Sequence, residues 1–374
     1  MRYLDNASTT FIDSSTEEEI IRVLKENNAN PSSLYYEGFK ATKILGESRE
    51  IVASRINCTP NEVVFTASGT EANNLAIFGS ARARKNFGNE IVTTGYEHPS
   101  VYNSLKALTK EGFIVHEVKP SQEGHIDIKE IVSLVNSRTV LVSAMHINNE
   151  IGSIIDIIKL AELVKEKNKR TAFHTDMIQS FMKYPITLSK TKIDLATISA
   201  HKIHGPKGVG ALFIRKGFNI SPIIYGGNQE QGFRSGTENV AYINAFAKAA
   251  ESFNTKETLF KVEQLSKTLL MKLKEVEGLV INSPKDASKY IMNFSIPGYM
   301  SETIVHLLDN NGIMVSAGAA CSKGQDSHTL IAMGLPQKIV KSSIRVSFCK
   351  DNTLDDVFEL IEVLKNLKNT LISQ

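Results

Sequence analysis

Short apolar runs punctuate the chain, and longer stretches with apolar residues recurring at helical spacing separate most of them. The runs at residues 63–66, 91–94, 114–118, 139–144, 171–174, 195–199 and 210–214 are rich in Val, Ile, Leu and Thr and read as strands. Residues 70–85, 101–111, 126–135 and 157–167 carry the helical period between them. Ser15-Thr-Glu-Glu18 is a capping box that predicts a further helix to about residue 27. Most of these strands lack polar alternation, so both of their faces are expected to be buried. Strand and helix in alternation then predict an α/β fold, a mostly parallel sheet flanked by helices. A long helical stretch runs from residue 240 past 274, and a last helix spans 353–367. The expected organisation is a large α/β domain over residues 15–255 and a smaller α+β domain made of residues 1–14 and 256–374.

Composition narrows the function classes. At about 150 residues per domain, 374 residues correspond to about two domains. Hydrophobic residues make up 42% and charged residues 22%, as in soluble globular proteins. A net charge of +3 gives no argument for nucleic acid or a membrane surface as partner. Three scattered cysteines do not make a disulfide framework, and a reducing compartment fits them. The opening Met1-Arg-Tyr-Leu-Asp-Asn6 has no signal-peptide pattern, and no apolar run reaches the ~20 residues of a membrane span. A cytoplasmic protein is expected.

Ligands of open α/β sheets bind beyond the carboxyl ends of the strands. Just there stands Ser199-Ala-His-Lys-Ile-His-Gly-Pro-Lys-Gly208. Most lysines are solvated, but Lys202 follows a buried-looking strand where the chain enters the cleft. Partial desolvation there favours a neutral amine, which attacks carbonyls and forms Schiff bases. A nucleotide phosphate loop fails on spacing, because Lys207-Gly-Val-Gly has no Ser or Thr after it. A metal site built on His201 and His204, with His174 and Asp176, would hold Lys202 in its midst, and an ammonium repels a cation. The reactive amine is the preferred reading, and no metal is expected.

Asp176, in Phe173-His-Thr-Asp-Met-Ile-Gln179, is either an ordinary helix cap or a carboxylate facing a cation. A Schiff-base lysine with a strand-end aspartate suggests pyridoxal 5'-phosphate, which needs an amine for its aldehyde and an acid for its ring nitrogen. Ser68-Gly-Thr-Glu71, between a strand and a helix, offers backbone N–H groups and a helix dipole to a phosphate. His98, in Tyr96-Glu-His-Pro-Ser100, is either a satisfied structural histidine or an aromatic lid that carries protons near neutral pH.

A wider set now comes into view: Leu4-Asp-Asn-Ala-Ser-Thr-Thr10, Asn30-Pro-Ser-Ser33, Thr70-Glu-Ala-Asn73, Glu97-His98, Met145-His-Ile-Asn-Asn-Glu-Ile-Gly152, His174-Thr-Asp-Met-Ile-Gln179, Ser199-Ala-His-Lys202, Arg234-Ser-Gly-Thr237 and Ser343-Ile-Arg345. In this order, from Tyr3 to about Leu367, it resembles the cysteine desulfurases. These are the NifS/IscS-type group in the class V aminotransferase branch of the fold-type I pyridoxal-phosphate enzymes. The resemblance implies that Lys202 holds the cofactor as a Schiff base and moves protons. It implies Asp176 on the ring nitrogen, Gln179 on the ring's phenolate oxygen, and His98 stacked on the ring. Gly69, Thr70, Ser199 and His201 would bind the phosphate. Thr237 would reach the phosphate of the other subunit of a homodimer. Asn149 and Arg345, with Asn30, would take the substrate carboxylate, a task that suits the planar fork of Arg.

Of the three cysteines, Cys58 ends an amphipathic helix and Cys349 ends a strand, and both read as core residues. Cys321 sits in Val315-Ser-Ala-Gly-Ala-Ala-Cys-Ser-Lys-Gly324, a small-residue stretch expected to be exposed and mobile, with Lys323 beside the thiolate. The longer-loop branch of the family has its nucleophile in a similar setting. The resemblance therefore implies conversion of L-cysteine to L-alanine with a persulfide on Cys321. That sulfur would pass to an acceptor protein for iron–sulfur clusters, tRNA thiolation or related delivery. Three departures stand out. The loop after Cys321 is about two residues shorter than usual, which limits its reach. Met177 replaces an alanine and is expected beneath the ring. The chain stops at Gln374, so a partnership made through the longer C-terminus of housekeeping members is not carried over. Selenocysteine lyase or aminotransferase activity on the same fold is the alternative, as is a non-catalytic sulfur-carrier or interaction relative. Lys202, Asp176 and His98 together argue against the last.

Overall fold

The computed structural model describes residues 1–27, 29–318 and 326–367. Cys321 and Lys323 lie outside the described residues. The main sheet has seven strands, in the spatial order Val63–Thr66, Gly210–Ile214, Leu195–Ser199, Ala172–Asp176, Thr139–Ser143, Glu90–Thr94 and Ile114–Val118. Gly210–Ile214 runs antiparallel to both neighbours, and the other pairs are parallel. Every residue of the six strands other than Ile114–Val118 is buried, which is why their sequences do not alternate. Ile114–Val118 is the edge strand opposite Val63–Thr66, and its Ile114 and Glu117 are exposed.

A second sheet joins Ser316–Ala317, Ser343–Ser347, Ile291–Ser295 and Val280–Ile281, antiparallel throughout. Its core gathers Leu4, Phe294, Ile304 and Leu360, apart from the main cluster around Val92, Phe173, Ile198 and Phe246. The N-terminus belongs to this side: Arg2–Tyr3 pairs parallel with Ile313–Met314. Among the described residues no helix is long and apolar enough to cross a membrane.

Two local expectations are corrected. The helical stretch beyond residue 240 is two helices, Val240–Ser252 and Thr255–Leu273. Asn254 interrupts it, and its side-chain oxygen caps the second helix by accepting from Glu257 N at 3.3 Å. The first long helix, Ser14–Glu26, does not open on a capping box at Ser15. It follows Asp13, whose carboxylate is drawn instead to Lys350 Nζ at 2.7 Å.

The loop that carries Arg234-Ser-Gly-Thr237 is held by strain and charge together. Asn228, Glu230 and Gln231 adopt left-handed φ values of 60°, 47° and 58°. The buried Glu230 carboxylate accepts from both terminal nitrogens of Arg49, each at 2.7 Å, and from Phe65 N at 2.8 Å. Removing it leaves the half-enclosed Arg49 guanidinium with the Val63 carbonyl, at 2.6 Å, and strands a buried N–H. Glu230→Ala is expected to lower the unfolding free energy by about 3 kcal/mol in a urea titration, and a loss under about 1 kcal/mol would refute this anchoring role.

Candidate active site

Beyond the carboxyl ends of the central strands lies a cavity of about 430 Å³, lined by Ser68, Gly69, Thr70, His98, Asn149, Asp176, Gln179, Ser199, His201, Lys202 and Arg345, with Ala7, Ser8, Met145 and Ile178. A larger cavity of about 930 Å³ elsewhere is lined by residues such as Leu270, Val280, Pro284 and Met292 and by none of the candidates. The candidate residues gather in the smaller one.

Lys202 ends a short turn, Ala200–Lys202, directly after strand Leu195–Ser199. Only 9% exposed, it donates from Nζ to the carbonyls of Ala7 at 2.6 Å and Ser8 at 2.5 Å. Asp176 ends the neighbouring strand. Its Oδ2 accepts from Asn73 Nδ2 at 2.8 Å and its Oδ1 from Ile178 N at 2.9 Å. The same Asn73 amide donates to Ser100 Oγ at 2.8 Å, and that hydroxyl lies 2.8 Å from His98 Nδ1. Asn73 thus joins the carboxylate to the histidine. Burial lowers the pKa of His98; the Asp176 carboxylate opposes this and the Lys202 amine adds to it.

Residues 69–70 open helix Gly69–Ala83, where the first backbone N–H groups have no partner within the helix. A Cβ on Gly69 would fall 2.3 Å from Ile178 Cδ1, so a larger residue there would push the Ile178 side chain aside at the cavity wall. Ser199 Oγ is buried with no hydrogen-bond partner among the described residues. His201 Nδ1 lies 3.2 Å from Thr9 Oγ1, and burial, with Lys202, Lys207 and Lys183, pushes its pKa down to about 3. A helix N-terminus, a bare hydroxyl and a neutral imidazole form a cradle for a phosphate. With Lys202 and Asp176 at the other side, the residues present fit pyridoxal phosphate.

Arg345, 1% exposed, donates from one terminal nitrogen to Asn149 O at 2.9 Å and from the other to Asp5 Oδ1 and Ser8 Oγ, both at 2.6 Å. Its Nε is buried and unpartnered among the described residues, a donor held ready for an anion. Gln179 donates from Nε2 to Ala7 O at 2.9 Å.

Not every candidate is brought in. Thr237 and Asn30 are exposed and line no part of this cavity; Asn30 Oδ1 accepts from Ser32 N at 2.9 Å in its own turn. Met177 is wholly buried in the main core, and Met145 and Ile178 line the cavity in its stead. The two histidines flanking Lys202 diverge. His201 faces the cavity, while His204, at φ 66°, turns its Nδ1 to Phe11 O at 3.0 Å. His204 does approach Cys349 and Asp351, with ligand atoms within 4.8 Å of one another, but the Lys350 ammonium in the same cluster already holds Asp13. Burial pushes the Cys58 thiol up to about 12 and the Cys349 thiol up to about 11, so neither is a ready nucleophile. Asn73, Asp5 and Ser8 were not singled out from the sequence. Each lies inside a motif that was, one turn beyond the phosphate cradle or in the opening stretch.

Comparisons with known proteins give the family and its fold. The Aminotransferase class-V family model matches residues 2–360. A cysteine desulfurase IscS of Clostridium botulinum is 39% identical over 373 residues, covering 98% of this chain and 94% of that protein. A solved NifS-like protein superposes with a TM-score of 0.94 at 36% identity, covering 99% of this chain and all of that one. Another, SspA in complex with cysteine, gives a TM-score of 0.83 at 29% identity over 94% of this chain.

His174 sits in the strand beneath the cavity, fully buried, with Nδ1 at 2.9 Å from Ser143 Oγ and Nε2 at 3.1 Å from Thr197 Oγ1. Burial lowers its pKa from 6.5 to about 3. The unfolded chain therefore takes up a proton that the folded one refuses. The stability is full above 6.5 and is lost as the pH falls from there toward 3. His174→Gln, which keeps both hydrogen-bonding ends, is expected to flatten that acid loss by up to about 1.4 kcal/mol per pH unit. Urea titrations across this range check it, and an unchanged slope would contradict it.

Proposed function

The chain belongs to the class-V aminotransferase family, and we propose that within it this protein is a cysteine desulfurase that converts L-cysteine to L-alanine and retains the sulfur. The observation that carries this reading is the convergence of Lys202, Asp176, His98 and Arg345 on one cavity. The cofactor, pyridoxal 5'-phosphate, supplies an aldehyde that captures the substrate amine and a protonated ring that stores the electrons released at the substrate's α-carbon.

The chain's own residues do the rest. The carbonyls of Ala7 and Ser8 hold the Lys202 amine at the cavity wall. Lys202 would hold the cofactor's aldehyde through its amine and would carry the proton at the substrate's α-carbon. Asp176 keeps the ring nitrogen protonated. His98, its pKa lowered by burial, would serve at the cavity wall as a neutral base. Gly69, Thr70, Ser199 and His201 bind the phosphate. Arg345, with Asn149, binds the substrate carboxylate, and its fixed guanidinium sets which bond at the α-carbon faces Lys202.

Cys321 is assigned the sulfur step from its sequence setting and from the raised pKa values of the half-buried Cys58 and the buried Cys349. Its thiolate attacks the substrate sulfur. An S–S bond forms as the carbon–sulfur bond breaks, and a proton delivered to that carbon completes alanine. The persulfide then passes to an acceptor protein. Thr237, exposed on a single chain, suits a homodimer in which it completes the partner's phosphate site. We assign residues 15–255 to the large domain and 1–14 with 256–374 to the small one, and the cytoplasm as the compartment.

Cys321→Ala is expected to abolish alanine and persulfide formation while exchange of the substrate α-proton with solvent persists. Unchanged sulfide release from that variant would remove Cys321 from the mechanism. The purified protein should be yellow, and Lys202→Ala should lose that colour.

A further inference from the structure

Lys183 has no part in the scheme above. Its side chain is 3% exposed, and burial pulls its pKa down to about 8. A lysine is rarely placed so deep without a partner that needs it. Its Nζ donates to Gln179 Oε1 at 3.3 Å and stands 5.4 Å from the centroid of the Tyr290 ring. The backbone beside it is strained as well: Met182, immediately before it, adopts a left-handed φ of 60°. The turn that starts at Met177 closes with Lys183 N donating to Ser180 O at 3.0 Å, which brings Lys183 beside Gln179.

The amide of Gln179 has two ends of nearly equal shape and opposite polarity, and only its neighbours decide which end faces where. Lysine has donors alone and calls for Oε1. The carbonyl of Ala7 accepts alone and calls for Nε2, which it receives at 2.9 Å. The two demands agree. With Oε1 held by Lys183 and one N–H on Ala7, the second N–H of Nε2 is left for the cavity that Gln179 lines.

We propose that Lys183 is a positioning residue: it fixes the amide orientation of Gln179 so that an N–H, and not the amide oxygen, meets the ring oxygen of the cofactor. This rests on the reading of Gln179 given above. A reversed amide would set a lone pair against the phenolate charge. A lysine kept only to pack on Tyr290 would have no such consequence, and methionine would serve as well.

The test reads the pH midpoint of the yellow band in the loaded protein, together with the dissociation constant of the cofactor by equilibrium dialysis. Arg345, Cys349, His201 and Tyr290 also face Lys183 and stay constant across the variants. Lys183→Met and Gln179→Ala are each expected to raise the midpoint and to weaken cofactor retention about fivefold or more, the loss of one hydrogen bond to a charged group. In the double variant Lys183→Met should add less than about twofold, because it acts through Gln179. Lys183→Gln, which keeps a donor, should stay near the wild type. Additive effects, or a Lys183→Met protein indistinguishable from wild type while Gln179→Ala shifts, would overturn the inference alone. A colourless wild type, or a Gln179→Ala protein with no shift, would overturn the reading of the site and this inference with it. Should Lys183→Met not fold, a Lys183→Gln protein with the midpoint of Gln179→Ala would overturn the inference, and one with the wild-type midpoint would support it.

Discussion

The hydrogen bonds from the Lys202 amine to the carbonyls of Ala7 and Ser8 hold the molecule's two halves around its chemistry. Residues 5–10 run between the two sheets. On one side Ala7 N donates to Ser347 Oγ at 2.8 Å, Asn6 Nδ2 donates to Ser347 O at 2.8 Å, and Asp5 and Ser8 accept from Arg345. On the other side Ala7 O also takes Gln179, and Thr10 N donates to His201 O at 2.9 Å. Lys202 and Gln179 come from the main sheet, Arg345 from the second. One short turn-containing segment therefore sets the distance between Lys202 and Gln179 on one side and Arg345 on the other. A shift of that segment would move both at once.

The site works by leaving charge in few places. His201 and His174 are neutral because burial refuses their protons. Burial also pushes Glu97, between the His98 turn and Met145, up to about 8, with the Asp176 carboxylate adding a smaller push. At neutral pH it is mostly uncharged and ties Thr94 and Met145 N to one oxygen, at 2.6 Å and 2.8 Å. Asp176 is thus spared a like-charged neighbour. Between buried side chains such as Asp176 and Lys202 the remaining charges act with little screening.

Much of this was legible in the sequence. The unbroken apolar runs marked the buried strands because helices cover both faces of the sheet, and the polar residues just past them marked the cavity. What escaped depended on contacts between distant segments. Nothing local to Asn73 tells that its amide will bridge Asp176 and Ser100, nor that Asp5 will meet Arg345 some 340 positions later. Helix ends were misplaced for the same reason. Asp13 gave its carboxylate to Lys350 instead of a cap, and an asparagine inside an apparently continuous period, Asn254, started a new helix. Met177 followed the packing of the core and not the family's pattern at the ring.

The proposed chemistry stands on Lys202 as the residue that carries the cofactor. Borohydride reduces a Schiff base to a stable secondary amine, so the loaded protein can be reduced, digested and mapped by mass spectrometry. One phosphopyridoxyl adduct is expected, on the peptide that contains Ser199-Ala-His-Lys202. An adduct on Lys183 or on any other lysine, or none, would contradict it.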